Sequence, residues 1–473
     1  MKKLTKIIAT ISDRRCEPEF ISSLHEAGMD VVRINTAHQT PDDTLRLINN
    51  VREVSDRIPI MIDTKGPEVR TNHSDLDLEV EKGQIIKVVG KRNTPTTKEC
   101  LYIDYEGVTD KLDQGGKILI DDGDISLTVK ENHSDYLLCH VDNPGVIKGR
   151  KSVNLPGVIT GLPSLTEKDR EYIRFSVEHK IDFIAHSFVR NEQDVIEIQS
   201  LLDEYNSNIK IIAKIENQEG VDNIREILPH VFGIMIARGD LAIEIPAEKI
   251  PSIQAALIKQ CLLFKKVVIV ATQMLHSMIR NPRPTRAEVT DIATAIFSGT
   301  DAIMLSGETT VGKYPLESVE TMVRIAAETE RNRPYDLEGD VIPTDNQISV
   351  FLSRTAVIAI EKLGVKAIIT DTDTGKTVRF IAAFRGKVPI YAQCYNYRVT
   401  RRLNLRYGVH PDYIEKSEST KGFTKIALTR LVEKKELIYS DLVAIVAGNF
   451  GKQIGPSYVE ISTVQNLLSA TWH

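Results

Sequence analysis

Eight short apolar runs, rich in β-branched residues, constrain this chain more than any other feature. They are KIIATI (6–11), VVRIN (31–35), IPIMID (58–63), FIAHSF (183–188), KIIAKI (210–215), GIMIA (233–237), VVIVAT (267–272) and AIMLS (302–306). Runs this short, bounded by polar turns, read as strands. Most are separated by helix-sized segments, among them 12–30, 36–57, 191–205 and 273–296. Strand, helix and parallel strand repeated eight times predict an α/β fold, a (β/α)8 TIM barrel. An open doubly wound sheet is the alternative, but near-regular units favour closure.

One interval breaks the rhythm. The stretch between Asp63 and Phe183 holds short alternating segments, QIIKVVG, KILIDDGDISLTVKE and YLLCHVDNPGVIKGRKSVNLPG. Helical periodicity is weak there, so 67–160 is expected to be a small antiparallel β domain inserted in the loop after the third strand. The barrel then takes 1–66 and 161–331. A polar linker, RNRPYDLEGDVIPTDN, leads into a C-terminal α/β domain over 332–473. In it a helix over 346–363 precedes VKAIIT, another starts at 376, and VPIYAQC, LVAIVAG and VEISTV are further strands. Their short apolar character predicts a mostly parallel, buried sheet.

At 473 residues the chain needs two or three domains. A net charge of −5 gives no basic footprint for nucleic acid. No apolar run reaches the ~20 residues that span a bilayer, so no membrane segment is expected. The start, MKKLTKIIATISDRR, returns to charge too soon for a secretory h-region. Five scattered cysteines form no CxxC pair, which points to reduced thiols, no zinc site and a cytoplasmic location.

Catalytic groups of a barrel gather at the C-terminal ends of its strands. Here those ends carry charge: Arg33 and Asn35, Asp63 and Lys65, Ser187 and Arg190, Lys214 and Glu216, Arg238-Gly239-Asp240, Thr272-Gln273, and Ser306-Gly307-Glu308. Residues two apart share a strand face, so Arg33 points with Asn35 and Lys214 with Glu216. A ring of salt bridges closing the mouth is the bland reading, and charge at nearly every strand end favours a ligand site. Glu216 and Asp240 end neighbouring strands and suit Mg2+. Arg33, Lys65, Arg70 and Lys214 bring positive charge for phosphate. Gly239 lets backbone N–H groups approach an anion. The sum is metal-assisted phosphoryl or carboxylate chemistry without a P-loop.

The segments VVRIN, MIDTKGPEVRT, KSVNLPG, AKIENQEGVDNI, ARGDLAIEIPAEKIPSIQ, ATQMLHSMIRNPRPTRAEVTDIATAI and AIMLSGETTVGKYPLESVETM closely resemble the pyruvate kinase family, almost end to end. The resemblance implies a TIM barrel with a β-barrel lid domain inserted over 67–160 and a C-terminal α/β domain, and a glycolytic phosphotransferase moving the phosphoryl group of phosphoenolpyruvate to ADP, giving pyruvate and ATP. It implies that Lys214 stabilises the in-flight phosphoryl group and the enolate oxygen. Glu216 and Asp240 would hold Mg2+, or Mn2+ in its place. The Gly239-Asp240 backbone, the Thr272 hydroxyl and Ser187 would receive the substrate, and Thr272, Ser306 and water would carry the proton. Arg33, Arg70 and Lys151 would grip the phosphates, with Asn35 and His38 near the nucleotide. Asn35, Asp63 and Thr64 would bind K+, although Ala37 stands where the family has a serine ligand. Glu68 matches the residue that accompanies K+ dependence.

Other departures bear on ligands. Relatives end the first strand in Thr-Ile/Leu-Gly-Pro-Ala-Ser, where this chain has Thr10-Ile11-Ser12-Asp13-Arg14-Arg15. Asp13 can accept a hydrogen bond that proline cannot, so GDP is expected to compete with ADP better than in Gly-Pro relatives. Gln39, Ala242 and Val311 are further changes. The family's effector loop is matched by Thr372, Thr374, Gly375, Lys376 and Thr377, with Asp373 unfavourable to phosphate and AGNFGKQIGPSYVE departing from the usual pattern. A sugar-phosphate or nucleotide effector and a homotetramer are family expectations; a helix cap is the plain alternative for the loop. A barrel lyase or aldolase acting on a pyruvate-like enolate, or a non-catalytic metabolite sensor, are the competing functions. Neither needs the whole set of Lys214, Glu216, Asp240, Thr272 and the arginines.

Overall fold

In the computed structural model, which describes residues 3–334, 346–416, 420–448 and 455–469, the eight apolar runs form a closed barrel of parallel strands. The strands are Lys6–Ile11, Val31–Asn35, Ile60–Asp63, Phe183–His186, Lys210–Ile215, Gly233–Ala237, Val267–Ala271 and Ala302–Leu305. Each pairs with its chain neighbour, and the eighth pairs back onto the first, Lys6 opposite Ala302. Both faces of these strands are buried, which is why they read as continuous apolar runs. Ile8, Met61, Phe183, Ile212, Met235, Ile269 and Met304 fill the interior. A larger apolar shell lies between strands and helices.

The helices between strands begin on side chains that satisfy orphan backbone N–H groups. Thr40, Thr166, Asn191, Asn217 and Thr285 each accept one, worth about 1 kcal/mol apiece. The helical segment expected over 273–296 is broken. A 3-10 turn at His276–Ile279 is followed by Arg286–Phe297, with Pro282 and Pro284 between them.

The insertion after the third strand is a seven-stranded sheet plus a two-stranded ribbon of Leu78–Val80 and Gly145–Ile147. The sheet runs in the order Val69–Arg70, Ser152–Asn154, Lys117–Ile120, Ile125–His133, Tyr136–Val141, Ile85–Gly90, Cys100–Ile103. Its pairs are antiparallel except the last, which is parallel. Gly66 makes the entry turn at φ +73°, where a side chain would meet Phe188 and Ser187 at 2.8 and 2.9 Å.

The last unit is a five-stranded sheet ordered Val409–Tyr413, Ile390–Cys394, Ala367–Thr372, Leu442–Ala447, Tyr458–Thr463. Only its final pair is antiparallel. Among the described residues no helix is long and apolar enough to cross a membrane.

The barrel's underside and the last unit share a buried seam. Leu405 enters the barrel's interior cluster, and the Arg406 guanidinium lies 5.0 Å from the Phe232 ring centroid. Asp301, fully buried just before the eighth strand, accepts from Arg385 Nη2 at 2.6 Å and from the backbone N–H of Val268 and Tyr407 at 3.0 Å. Removing one partner of such a buried pair leaves the other charge unpaired, at a cost of about 3–5 kcal/mol. Asp301→Ala is therefore expected to lower the unfolding free energy of the full chain, read from urea denaturation, by an amount of that order. A shift under about 1 kcal/mol would show that the pair adds little.

Candidate active site

The strand ends converge on a buried knot of charge at the barrel mouth. Register places Arg33 beside Thr10 and Met61, and Asn35 beside Asp63. Arg33 donates through Nε and Nη2 to the two oxygens of Asp63, at 2.9 and 2.6 Å, and through Nη1 to Thr10 Oγ1 at 3.1 Å. Lys214 lies 2.9 Å from Glu216 Oε1, 2.9 Å from Ser187 Oγ and 3.3 Å from Asp63 Oδ2. Three acceptors match the three N–H bonds of an ammonium group. Glu216 accepts the Phe188 N–H through its other oxygen at 2.7 Å, and Phe188 adopts φ +56° to present it.

Burial alone would strip the Lys214 proton, but the Glu216 and Asp63 carboxylates outweigh it and hold the ammonium above its ordinary range. Burial likewise opposes the Asp63 charge, and Arg33 and Lys214 more than offset that, keeping it below the usual carboxylate range. Burial pushes Glu216 up to about 7; Asp240 adds to the push and Lys214 opposes it. Asp240 is half-buried, and among the described residues no hydrogen bond or ion pair reaches its carboxylate.

Opposite this knot lies Thr272. Its hydroxyl accepts the Gly239 N–H and donates to Ala271 O, both at 2.7 Å. Thr272 and Gln273 stand at φ +68° and +56°. A β-branched residue in that region is strained, and such strain gathers at functional sites. Arg238 holds the strained turn: it donates to Thr272 O at 2.7 Å and Ala271 O at 3.3 Å and pairs with Asp291 at 2.6 Å. Ser306 Oγ is buried without a hydrogen-bond partner among the described residues, while Glu308 fixes the Ser306 and Leu275 N–H groups.

The K+ expectation meets a crowded set of oxygens. Thr64 O accepts from Ser187 Oγ at 2.7 Å, Asn35 Oδ1 accepts the Ala37 N–H at 3.1 Å, and Arg33 covers Asp63. On the lid, neighbouring strands place Arg70 opposite Ser152, beside Lys151. Arg70 is tied to Glu68 and donates to Arg150 O, while Lys151 pairs with Asp121 at 2.8 Å. Lid and barrel enclose a cavity of about 360 Å3 lined in part by Glu68, Asp122, Asn217, Asp240 and Glu244. His38 ends the 3-10 turn Thr36–His38, and its side chain lies outside the described residues.

The segment Ser12-Asp13-Arg14-Arg15 folds as a turn, with the Arg15 N–H on Ser12 O. Arg15 lies over the Phe20 ring at 4.3 Å, Arg46 donates to Asp13 O, and Ser12 Oγ is buried without a hydrogen-bond partner among the described residues. The loop Thr372–Thr377 lies apart, in the last unit. Thr372 Oγ1 accepts the Gly375 N–H at 2.7 Å, and Gly375 stands at φ +81° before the helix Lys376–Ala383. Asp373, expected to repel phosphate, pairs with Lys416 at 3.3 Å. Within AGNFGKQIGPSYVE, residues 449–454 lie outside the described residues.

Sequence reasoning marked the charges at the strand ends but missed their holders. Arg238 was visible as a strand-end residue, yet its partner Asp291 lies 53 positions away. Asp169, which accepts the Lys65 N–H at 2.7 Å, carried no local signal beyond a helix cap.

Known proteins match this arrangement. The pyruvate kinase barrel-domain model covers residues 2–319, and the pyruvate kinase alpha/beta-domain model covers 351–459. A pyruvate kinase of Borreliella burgdorferi is 45% identical over 473 residues, 99% of either chain. One of Geobacillus stearothermophilus is 42% identical, covering 99% of this chain and 82% of its own. The crystal structure of a Cryptosporidium parvum pyruvate kinase superposes with a TM-score of 0.92 at 34% identity, covering 98% of this chain and 96% of that one. With both family models matched in chain order and relatives this similar along nearly the whole length, the chain belongs to the pyruvate kinase family, metal-dependent phosphotransferases that use phosphoenolpyruvate and ADP.

Proposed function

We propose that Lys214 is the central catalytic group of this phosphotransfer. The observation that carries the reading is its buried ammonium, held charged among Glu216, Asp63 and Ser187 at the barrel mouth. A fixed positive charge in a water-poor site stabilises negative charge that develops on a phosphoryl group or an enolate oxygen. Arg33, aimed by Asp63, assists at the phosphoryl group. Ser187 helps to seat the substrate, and the Gly239-Asp240 backbone and Thr272 receive its carboxylate. Thr272 and the unpartnered Ser306 hydroxyl carry the proton with water. Arg70 and Lys151 of the lid, with Asn35 and His38, bind the nucleotide, and closure of the lid excludes water.

The residues fit a hard divalent cation. Asp240 has no competing bond among the described residues, and the raised Glu216 marks two carboxylates that a cation would relieve. Glu216 and Asp240 would hold Mg2+, or Mn2+, which would supply Lewis-acid charge to the reaction. Asn35, Asp63 and Thr64 offer oxygens to K+, with Ala37 leaving the set one hydroxyl short. We assign nucleotide discrimination to Asp13 and effector binding, by a sugar phosphate or nucleotide, to Thr372, Thr374, Gly375, Lys376 and Thr377. Exposed Ile348 and Phe351, on the helix Gln347–Leu363, and the edge strand Tyr458–Thr463 support assembly as a homotetramer, which light scattering would read. A cytoplasmic location accords with five free cysteines, and fractionation would test it.

Glu216→Gln and Asp240→Asn are each expected to cut turnover at ordinary Mg2+ by about a thousandfold or more, since each removes an anionic oxygen from a hard cation. Activity is also expected to rise when K+ replaces Na+, and Ala37→Ser to lower the K+ needed for half-activation. Near-full turnover in either carboxylate variant would overturn the divalent assignment, and indifference to K+ the monovalent one.

Lys214→Met should lower kcat far more than it raises KM, because the charge acts mainly in the transition state. Steady-state kinetics decide this. A large rise in KM at unchanged kcat would make Lys214 a plain binding residue.

For nucleotides, the GDP-to-ADP ratio of kcat/KM is expected to fall about fivefold in Ser12→Gly/Asp13→Pro. That corresponds to ~1 kcal/mol of hydrogen-bond selectivity, the low end for a half-buried group. An unchanged ratio would reduce the turn to a solvated edge of the site.

A further inference from the structure

A second polar cavity, of about 180 Å3, lies in the C-terminal unit under the helix Thr420–Glu433. Its floor is a two-by-two patch on adjacent strands: Tyr391 is paired with His410, and Gln393 with Asp412. Ala427 and Leu431 of the helix form the apolar roof.

Two independent features of this cavity call for a ligand. The first is Gln393. It is 2% exposed, and its Oε1 has no hydrogen-bond partner among the described residues. A buried acceptor left bare is destabilising, so such atoms are usually met by something that donates. The second is the rim. Arg57, Arg430 and Lys434 all converge on Asp412, at 3.0, 3.6 and 3.4 Å. The other carboxylate, Glu436, accepts from Tyr391 OH at 3.3 Å. Three cations against two carboxylates leave the lining one positive charge in excess. Arg57, Arg430 and Lys434 are 55%, 43% and 56% exposed, so they can turn toward an arriving anion at little cost.

We propose that this cavity binds a compact organic anion that also carries a hydroxyl group. Its phosphate or carboxylate lies between Arg57, Arg430 and Lys434, and its hydroxyl donates to Gln393 Oε1. Neither an apolar molecule nor a bare anion satisfies both ends. The cavity shares no lining residue with the one at the barrel mouth or with the loop Thr372–Thr377, although Gln393 is the strand partner of Asp371, next to that loop. Because Arg57 belongs to the barrel and the other groups to the last unit, the ligand spans the two.

Calorimetric titration of the full chain tests this, with inorganic phosphate, glycerol 3-phosphate and glycerate as probes. Glycerol 3-phosphate or glycerate is expected to saturate with a Kd in the millimolar range or tighter, and whichever binds better names the anionic group. Lys434→Gln and Arg430→Gln, both at the rim, should each weaken that binding at least tenfold, and Lys376→Ala should leave it intact. Gln393→Leu should weaken the hydroxylated probes at least fivefold and shift inorganic phosphate less than twofold. Absence of saturable binding overturns the proposal, as does binding lost in Lys376→Ala. A Gln393→Leu chain that melts higher than the parent but binds every probe equally well assigns the cavity to water alone, and that too overturns it.

Discussion

The two ion pairs at the barrel mouth, Arg33 with Asp63 and Lys214 with Glu216, fix everything around them. Buried charges are tolerated only when paired and fully hydrogen-bonded. The partners come from the first five strands: Thr10, Arg33, Asp63, Ser187, then Lys214 and Glu216. A slip in strand register would therefore strand a charge, so the knot holds the barrel's register as the barrel holds the knot. By formal charge two cations face the three carboxylates of Asp63, Glu216 and Asp240, a crowding that, with burial, pushes Glu216 up to about 7. A phosphate-bearing substrate is anionic, so a further cation is required before such a site can accept it. That is the electrostatic reason for metal dependence in this setting.

The lid handles charge differently. Arg70 and Lys151 rest on Glu68 and Asp121, with about a third of each side chain exposed. Exposed pairs of this sort contribute at most about 1 kcal/mol, so they release easily to a polyanion. The barrel thus keeps its charges rigid and buried, while the lid keeps its own available for exchange.

How much of this was legible in the sequence follows the range of each interaction. The barrel strands, the insertion and the charged strand ends are local patterns of apolar runs and turns, and they were readable. The left-handed Thr272 and Gln273 were not, since nothing in VVIVATQM signals φ above zero at a β-branched residue. Their conformation is imposed from outside by Arg238, itself fixed by Asp291. The Phe188 turn that serves Glu216 is equally silent, because the partner arrives from another strand. The chain also crosses 84 positions between Asp301 and Arg385, a pairing no periodicity could reveal. Asn35 and Asp63, expected on neighbouring strand ends, do stand opposite each other, but that Arg33 already neutralises Asp63 is a matter of side-chain packing.

Leu405 inserted under the barrel has a consequence for modularity. The two family models part the chain between 319 and 351, as though it were a tandem of exchangeable pieces. Physically the cut falls elsewhere, because the plug for the first piece is carried by the second. A shortened chain ending at the linker would lack Leu405, Arg406 and the Arg385 counterion, baring an apolar floor and the Asp301 carboxylate together. Replacing the last unit by another of similar fold meets the same obstacle unless the replacement carries an equivalent of the turn 403–408. The barrel and its C-terminal partner are therefore inherited as one unit of stability, whatever their separate pedigrees as folds.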